Sequence, residues 1–271
     1  MPNSPAELIL PSDARSRQLA RPEQNVDTSN LMKVVAVIPA RLASTRLPRK
    51  MLREINGRPL VVCVYEAVRS SPLLDDVIIA TDSDEILDAC RKHSCSARMT
   101  SEKHRSGTER IHEVSQSVDA DVYINVQGDE PMIRADHIAR LVELMKKSSE
   151  IPVGTLKTPA SRNDIANPNA VKVVSDFNGR SLYFSRSTIP FDRDRSQPGY
   201  FKHLGIYGYR KRALDLFVSL PESSLERAER LEQLRFLENG IPIYVAETPF
   251  DSIGVDTEED FARVERVLRQ N

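Results

Sequence analysis

Arg41, Arg46, Arg49, Lys50 and Arg53 crowd into one stretch directly after the apolar run Val34, Val35, Ala36, Val37, Ile38 and its closing Pro39. Fixed positive charge at the end of a buried strand suits a triphosphate, because guanidinium forks and an ammonium neutralise and orient phosphate oxygens. No glycine lies between Arg41 and Lys50, so this is neither a Walker P-loop nor a G-x-G-x-x-G loop. Side chains are expected to hold the phosphates. A second constellation, Asn125-Val126-Gln127-Gly128-Asp129-Glu130-Pro131, puts acids just past the strand-like run Asp121 to Gln127, where open α/β sheets bind ligands. Asp129 offers a hard carboxylate to Mg2+, and Gly128 permits close backbone approach. Asp256, in Gly254-Val255-Asp256-Thr257, is another carboxylate before a helix start. Mg2+ is held by one or two carboxylates plus substrate phosphates, so this pair suffices, although each acid alone also fits a turn or cap.

The polar loop His104-Arg105-Ser106-Gly107 offers N–H groups and a hydroxyl that either read a base or ribose or cap the following helix. Tyr183-Phe184-Ser185-Arg186 and Lys202-His203-Leu204-Gly205-Ile206-Tyr207 bring Arg186, His203 and Tyr207 into one region. An arginine fork with His and Tyr donors suits a small acidic, hydroxyl-rich substrate. Asp82-Ser83-Asp84 mimics the D-x-D metal motif of a glycosyltransferase, the nearest enzymatic rival. The basic loop favours pyrophosphate release over sugar transfer. A nucleotide-sensing module without turnover is the non-enzymatic rival. The five histidines have neither i, i+4 spacing nor cysteine pairing, which argues against a zinc site.

These residues need a scaffold. The 271 residues suffice for one large α/β domain. Strand-like runs at 33–39, 76–81, 96–99 and 121–127 alternate with helical patterns near 59–70, 84–93, 108–117 and 135–148, which predicts a mixed, mostly parallel sheet with helices on both faces. Short strands near 152–158, 170–175, 180–185 and 203–210 predict a smaller mixed β region, and helices near 225–238 and 257–269 close the chain. Residues 1–31, rich in Pro, Ser, Asn, Gln, Asp and Arg, read as a disordered tail, with Met32 an alternative start.

The net charge of −1 gives no global steering toward nucleic acid. No apolar run approaches the roughly 18 residues of a membrane span. Cys63, Cys90 and Cys95 make no C-x-x-C pair and suggest a reduced, cytoplasmic protein.

IPARLASTRLPRK, HRSGTER, NVQGDEP, NPNAVKVV, LYFSRSTIPFDRD, KHLGIYGYR, LEQLR and GVDTEED together resemble the 3-deoxy-manno-octulosonate cytidylyltransferases, in family order from about residue 33 to 269. The resemblance implies a nucleotide-diphospho-sugar transferase-like fold and a homodimer, with the nucleotide-binding part over about 32–150 and the sugar-binding and dimer part over about 151–250. It implies that the anomeric hydroxyl of 3-deoxy-D-manno-octulosonate (Kdo) attacks the α-phosphorus of CTP, giving CMP-Kdo and pyrophosphate for lipopolysaccharide synthesis. By the same resemblance Arg41, Arg46 and Lys50 would contact the CTP phosphates, with Arg41, Lys50 and Asp129 carrying catalysis, and Ser106 and Gln127 would address cytidine. Asp129 and Asp256 would hold Mg2+, while Arg186, His203, Tyr207, Glu232 and Gln233 would line the sugar pocket. An 8-amino analogue of Kdo or another acidic sugar stays open as the substrate. The family's usual Leu-Pro-Gly-Lys reads Leu47-Pro48-Arg49-Lys50 here.

Overall fold

Alternation of period two builds the centre of the molecule. In Val34–Ala40 (β1), Val34, Ala36 and Ile38 enter one apolar cluster, while Val35 and Val37 enter another on the opposite face. A strand buried on both sides must be covered by helices on both sides. The structure is a computed structural model describing residues 32–43, 47–196 and 198–269; the expected tail and Arg46 lie outside the described residues.

From β1 the chain passes a 3-10 turn at Lys50–Leu52 and a hairpin of Glu54–Ile55 (β2) and Arg58–Pro59 (β3). Leu60–Arg69 (α1), Asp76–Thr81 (β4), Asp84–Lys92 (α2) and Ala97–Met99 (β5) follow, then Gly107–Ser115 (α3), Val122–Asn125 (β6) and Ala135–Lys146 (α4). The second half comprises Val153–Pro159 (β7), Arg162–Ala166 (α5), Lys172–Ser175 (β8), Ser181–Ser185 (β9) and Phe201–Tyr209 (β10). Lys211–Ser219 (α6), Ser224–Glu229 (α7), Leu234–Glu238 (α8), Ile243–Glu247 (β11) and Glu258–Leu268 (α9) complete it.

Among the described residues the main sheet runs β11-β7-β10-β6-β1-β4-β5. β1 is parallel to β4 and β6, β4 to β5, and β7 to β11. β10 runs antiparallel between β6 and β7, and β8 and β9 extend from its start as a smaller region that is antiparallel rather than mixed. α1, α2 and α4 cover one face through Val61, Ile86 and Leu141; α3, α6 and α8 cover the other through Ile111, Phe217 and Phe236. The β-branched Val61, Val62, Val64 and Val68 of α1 are all buried. Each gains about 1.5–3 kcal/mol from burial, which outweighs a helix-propensity penalty of roughly half a kcal/mol per residue.

A third cluster joins Leu47, Ile55 and Leu60 to Val255, Phe261 and Val264. It docks α9 against the β2–β3 hairpin and thereby carries Asp256 to the segment holding Lys50. Thr257 caps this helix in a full capping box with Asp260.

The helix expected over 225–238 is instead two helices. Arg230 breaks it with a left-handed φ of 53°, and the break lets buried Glu226 receive both Arg235 Nε (2.8 Å) and Nη2 (2.6 Å). The strand expected over 121–127 ends at Asn125, because Gln127 to Asp129 turn out toward the site. The β2–β3 hairpin, α5, α6 and β11 were not expected. α6 has its apolar stripe (Ala213, Leu214, Phe217) but no side-chain cap at Arg210 to announce it.

Candidate active site

β1, β4 and β6 run parallel, so their carboxyl ends share one edge of the sheet, as the switch-point rule requires. There a cavity of about 530 Å³ opens. Of the residues expected from sequence, Arg41, Lys50, Ser106, Gln127, Asp129, Glu232 and Asp256 line it, together with Arg110 and Arg230. Arg186, His203, Tyr207 and Gln233 are not among its lining residues.

The acids and the lysine meet. Lys50 Nζ donates to Asp129 Oδ2 at 2.5 Å and to Asp256 Oδ1 at 3.1 Å. The Lys50 side chain is 9% exposed, against 27% and 47% for the two acids, so the ammonium sits beneath carboxylates that open to the cavity. Two features fix the arrangement. The Val255 N–H donates to Asp129 O at 2.8 Å, tying the two acidic loops together. A Cβ at Gly128 would lie 2.9 Å from Pro39 O, so only glycine lets the ends of β6 and β1 approach this closely. Beside them Glu130 accepts from Ser252 Oγ at 2.9 Å, and burial, with Asp129 next, pushes its carboxyl up to about 7.

Arg49, in the family's glycine position, takes a left-handed conformation with φ 54°. The loop keeps the shape a glycine would allow, and the Arg49 guanidinium pairs with Glu85 at the start of α2.

On the opposite wall Ser106 caps α3, its Oγ accepting from the Glu109 N–H at 3.2 Å. The Glu109 carboxylate reaches Arg105 N rather than Ser106 N, so only half of a capping box forms. Glu232 lies beside the hydroxyls of Ser106 and Thr108, and burial raises its pKa. Its Oε2 is buried with no hydrogen-bond partner among the described residues, an acceptor that a substrate hydroxyl would satisfy. Asp82 of the D-x-D-like segment is paired with Arg110, and exposed Asp84 begins α2; neither lines the cavity, which removes the observation favouring a glycosyltransferase.

The mixed β region is occupied with its own bonds. Arg186 Nε donates to Glu229 O (2.7 Å) and Nη1 to Pro168 O (3.0 Å), while the Arg186 N–H donates to the Glu229 carboxylate (2.9 Å). Thr155 Oγ1 lies 2.7 Å from Ile206 O, so its proton goes to that carbonyl and His203 Nε2, 3.0 Å away, donates to Thr155. The His203 ring packs against Phe184 and Tyr207, and Tyr207 stacks on Tyr209. Tyr209 Oη lies 3.4 Å from Thr108 Oγ1. This aromatic row therefore backs the wall that carries Ser106, Thr108 and Glu232. Gln233 is buried beside Glu232.

A pH dependence follows. Burial pushes the His203 imidazole down to about 3, and the buried His137 is pushed down as well. The unfolded chain protonates each near pH 6.5. Below that pH the unfolded state binds more protons than the fold, so stability declines as pH falls, at up to about 1.4 kcal/mol per pH unit for each group. Glu130 and Glu232, whose buried carboxyls are pushed up, gain protons in the fold over the same range and oppose this loss. Between pH 7 and pH 5 the urea unfolding free energy of His203→Gln, which keeps an N–H for Thr155, should therefore fall less, or rise more, than that of wild type; an equal change in the two would contradict the assignment.

Sequence reading missed Arg110, Arg230 and Glu226 in the cavity wall. Arg110 stands in the quoted HRSGTER segment, where nothing local marks it as turning inward, and Arg230 reaches the cavity only through the unexpected break between α7 and α8. Among the described residues no helix is long and apolar enough to cross a membrane.

Comparison with known proteins agrees with this geometry. Residues 35–247 match the family described as cytidylyltransferase. A 3-deoxy-manno-octulosonate cytidylyltransferase of Koribacter versatilis is 61% identical over 96% of this chain and 99% of its own length. That of Acidobacterium capsulatum is 54% identical over 88% and 97%. A solved CMP:2-keto-3-deoxy-manno-octonic acid synthetase complexed with CTP is 42% identical, covers 88% of this chain and 99% of that one, and superposes with a TM-score of 0.85. With the basic loop, the paired acids and this likeness along the sheet, the chain belongs to the 3-deoxy-manno-octulosonate cytidylyltransferase family.

Proposed function

We propose that the protein transfers CMP from CTP to Kdo, releasing pyrophosphate, in a Mg2+-dependent reaction. The observation that carries this reading is the convergence of Lys50, Asp129 and Asp256 at the mouth of β1 and β6. Two carboxylates that touch one nitrogen also aim at one point, and their hard oxygens, opening on a cavity with room for phosphate, fit Mg2+. When bound, that ion would neutralise the triphosphate and acidify a coordinated hydroxyl.

The chain's own residues supply the rest. Arg41 and Lys50 would orient the phosphates and stabilise charge on the departing pyrophosphate. Ser106 and Gln127 would address cytidine. The unpartnered Glu232 oxygen would accept a hydroxyl of the sugar acid and hold its anomeric oxygen in line with the α-phosphorus. Arg186, His203, Tyr207 and Gln233 are proposed to serve the sugar at this end, the three nearest neutral groups by shaping the wall and Arg186 by its remaining N–H groups. We further propose a cytoplasmic homodimer supplying activated Kdo for lipopolysaccharide synthesis. Exposed Leu182 on β9 and exposed Phe191 support a second copy on that side, and sedimentation of Leu182→Asp should yield a lighter species.

A pyrophosphate-release screen of Kdo, 8-amino-Kdo and sialic acid against CTP and UTP tests the reading. CTP with Kdo should be fastest by at least about tenfold. A faster reaction with another acid would overturn the substrate assignment, and no release with any pair would overturn the activity.

A further inference from the structure

A buried ion pair lies behind the phosphate loop, and nothing in the proposed chemistry uses it. Arg110 Nη2 donates to Asp82 Oδ2 at 2.7 Å, with the two side chains 4% and 17% exposed. Arg110 Nη1 also reaches Thr100 Oγ1, and Thr100 is pinned to β4, its N–H and hydroxyl both donating to Thr81 O (2.7 and 3.0 Å). The second oxygen of Asp82 accepts from the Leu42 N–H at 3.4 Å. One carboxylate thus meets the residue after Arg41, the end of β4 and the first turns of α3, which Ser106 caps. The two loops assigned to CTP, one for its phosphates and one for its cytidine, are joined through this point and are otherwise far apart in sequence.

We infer that Asp82 and Arg110 are positioning residues for CTP, setting the spacing between the Arg41–Lys50 loop and the Ser106 loop. The inference rests on the cavity being the CTP site. Sign decides between this role and its rivals. Asp82 is a negative charge outside the cavity lining, so Coulomb's law alone says that removing it strengthens triphosphate binding. A weakening can arise only through geometry. If Arg110 instead bound phosphate directly, freeing it from Asp82 would also strengthen binding. If the pair only held the fold together, the folded fraction would bind CTP normally.

The test is calorimetric titration of CTP into wild type, Asp82→Asn and Arg110→Lys, with steady-state KM values for CTP and Kdo and a thermal melt of each. Wild type binding no CTP would sink the site reading itself, separately from this inference. With wild type binding, Asp82→Asn should weaken CTP by at least about tenfold, a misplacement effect, while the Kdo KM changes by less than about twofold. Arg110→Lys keeps the charge but cannot bridge Asp82 and Thr100 together, and should give a smaller loss of the same sign. It also serves if Asp82→Asn fails to fold. Unchanged or tighter CTP binding in a folded variant, or equal losses for CTP and Kdo, would overturn the inference.

Discussion

Asp129→Asn is expected to lower kcat by at least about a hundredfold, the scale for losing a charge that acts on the transition state, while the fold survives. The substitution keeps the volume and one oxygen but removes the charge that Lys50 Nζ meets at 2.5 Å. Asp129 is partly open to the cavity, so the cost to folding is small. Asp256 is more exposed and its bond to Lys50 longer, at 3.1 Å. Asp256→Asn should therefore act mainly by raising the Mg2+ concentration needed for half-maximal rate, by roughly tenfold. Pyrophosphate assays across a Mg2+ series, with circular dichroism on both variants, measure these effects. Near-normal turnover of Asp129→Asn at low Mg2+ would remove it from the metal site.

Lys50→Met should separate two roles of the lysine. In the fold its ammonium stands where the two carboxylates converge, so it competes with a divalent ion for the same oxygens. Removing it takes one positive charge away from both carboxylates. Mn2+ binding without nucleotide, followed by paramagnetic resonance, should tighten. Turnover should nonetheless fall by about a hundredfold or more, because charge developing on pyrophosphate loses its cation. Weaker Mn2+ binding in a folded Lys50→Met protein would show that the lysine organises the acids rather than competing at them.

The parts legible in the sequence are those set by local pattern. β4 was read to the residue, since DVIIAT is a short apolar run buried on both faces. What stayed hidden depends on contacts distant in sequence. Nothing local announces that Glu226 and Arg235 pair across a break at Arg230, or that Arg110 turns inward to Asp82. β11 was missed because IYVAE is too short to distinguish from the end of a helix without its parallel partner β7. The convergence of Lys50 with Asp129 and Asp256 lay between: the residue types were readable, but their meeting is made by α9 docking on the β2–β3 hairpin. His203 and Tyr207 were named from a motif, and both are buried and absent from the cavity lining.

Phosphorus NMR of the purified protein with CTP, Mg2+ and Kdo tests the central claim most directly. The account predicts one phosphodiester resonance of CMP-Kdo growing in step with one equivalent of pyrophosphate, and no reaction when Mg2+ is chelated. CTP consumed to CDP and orthophosphate, or left intact while bound, would contradict it.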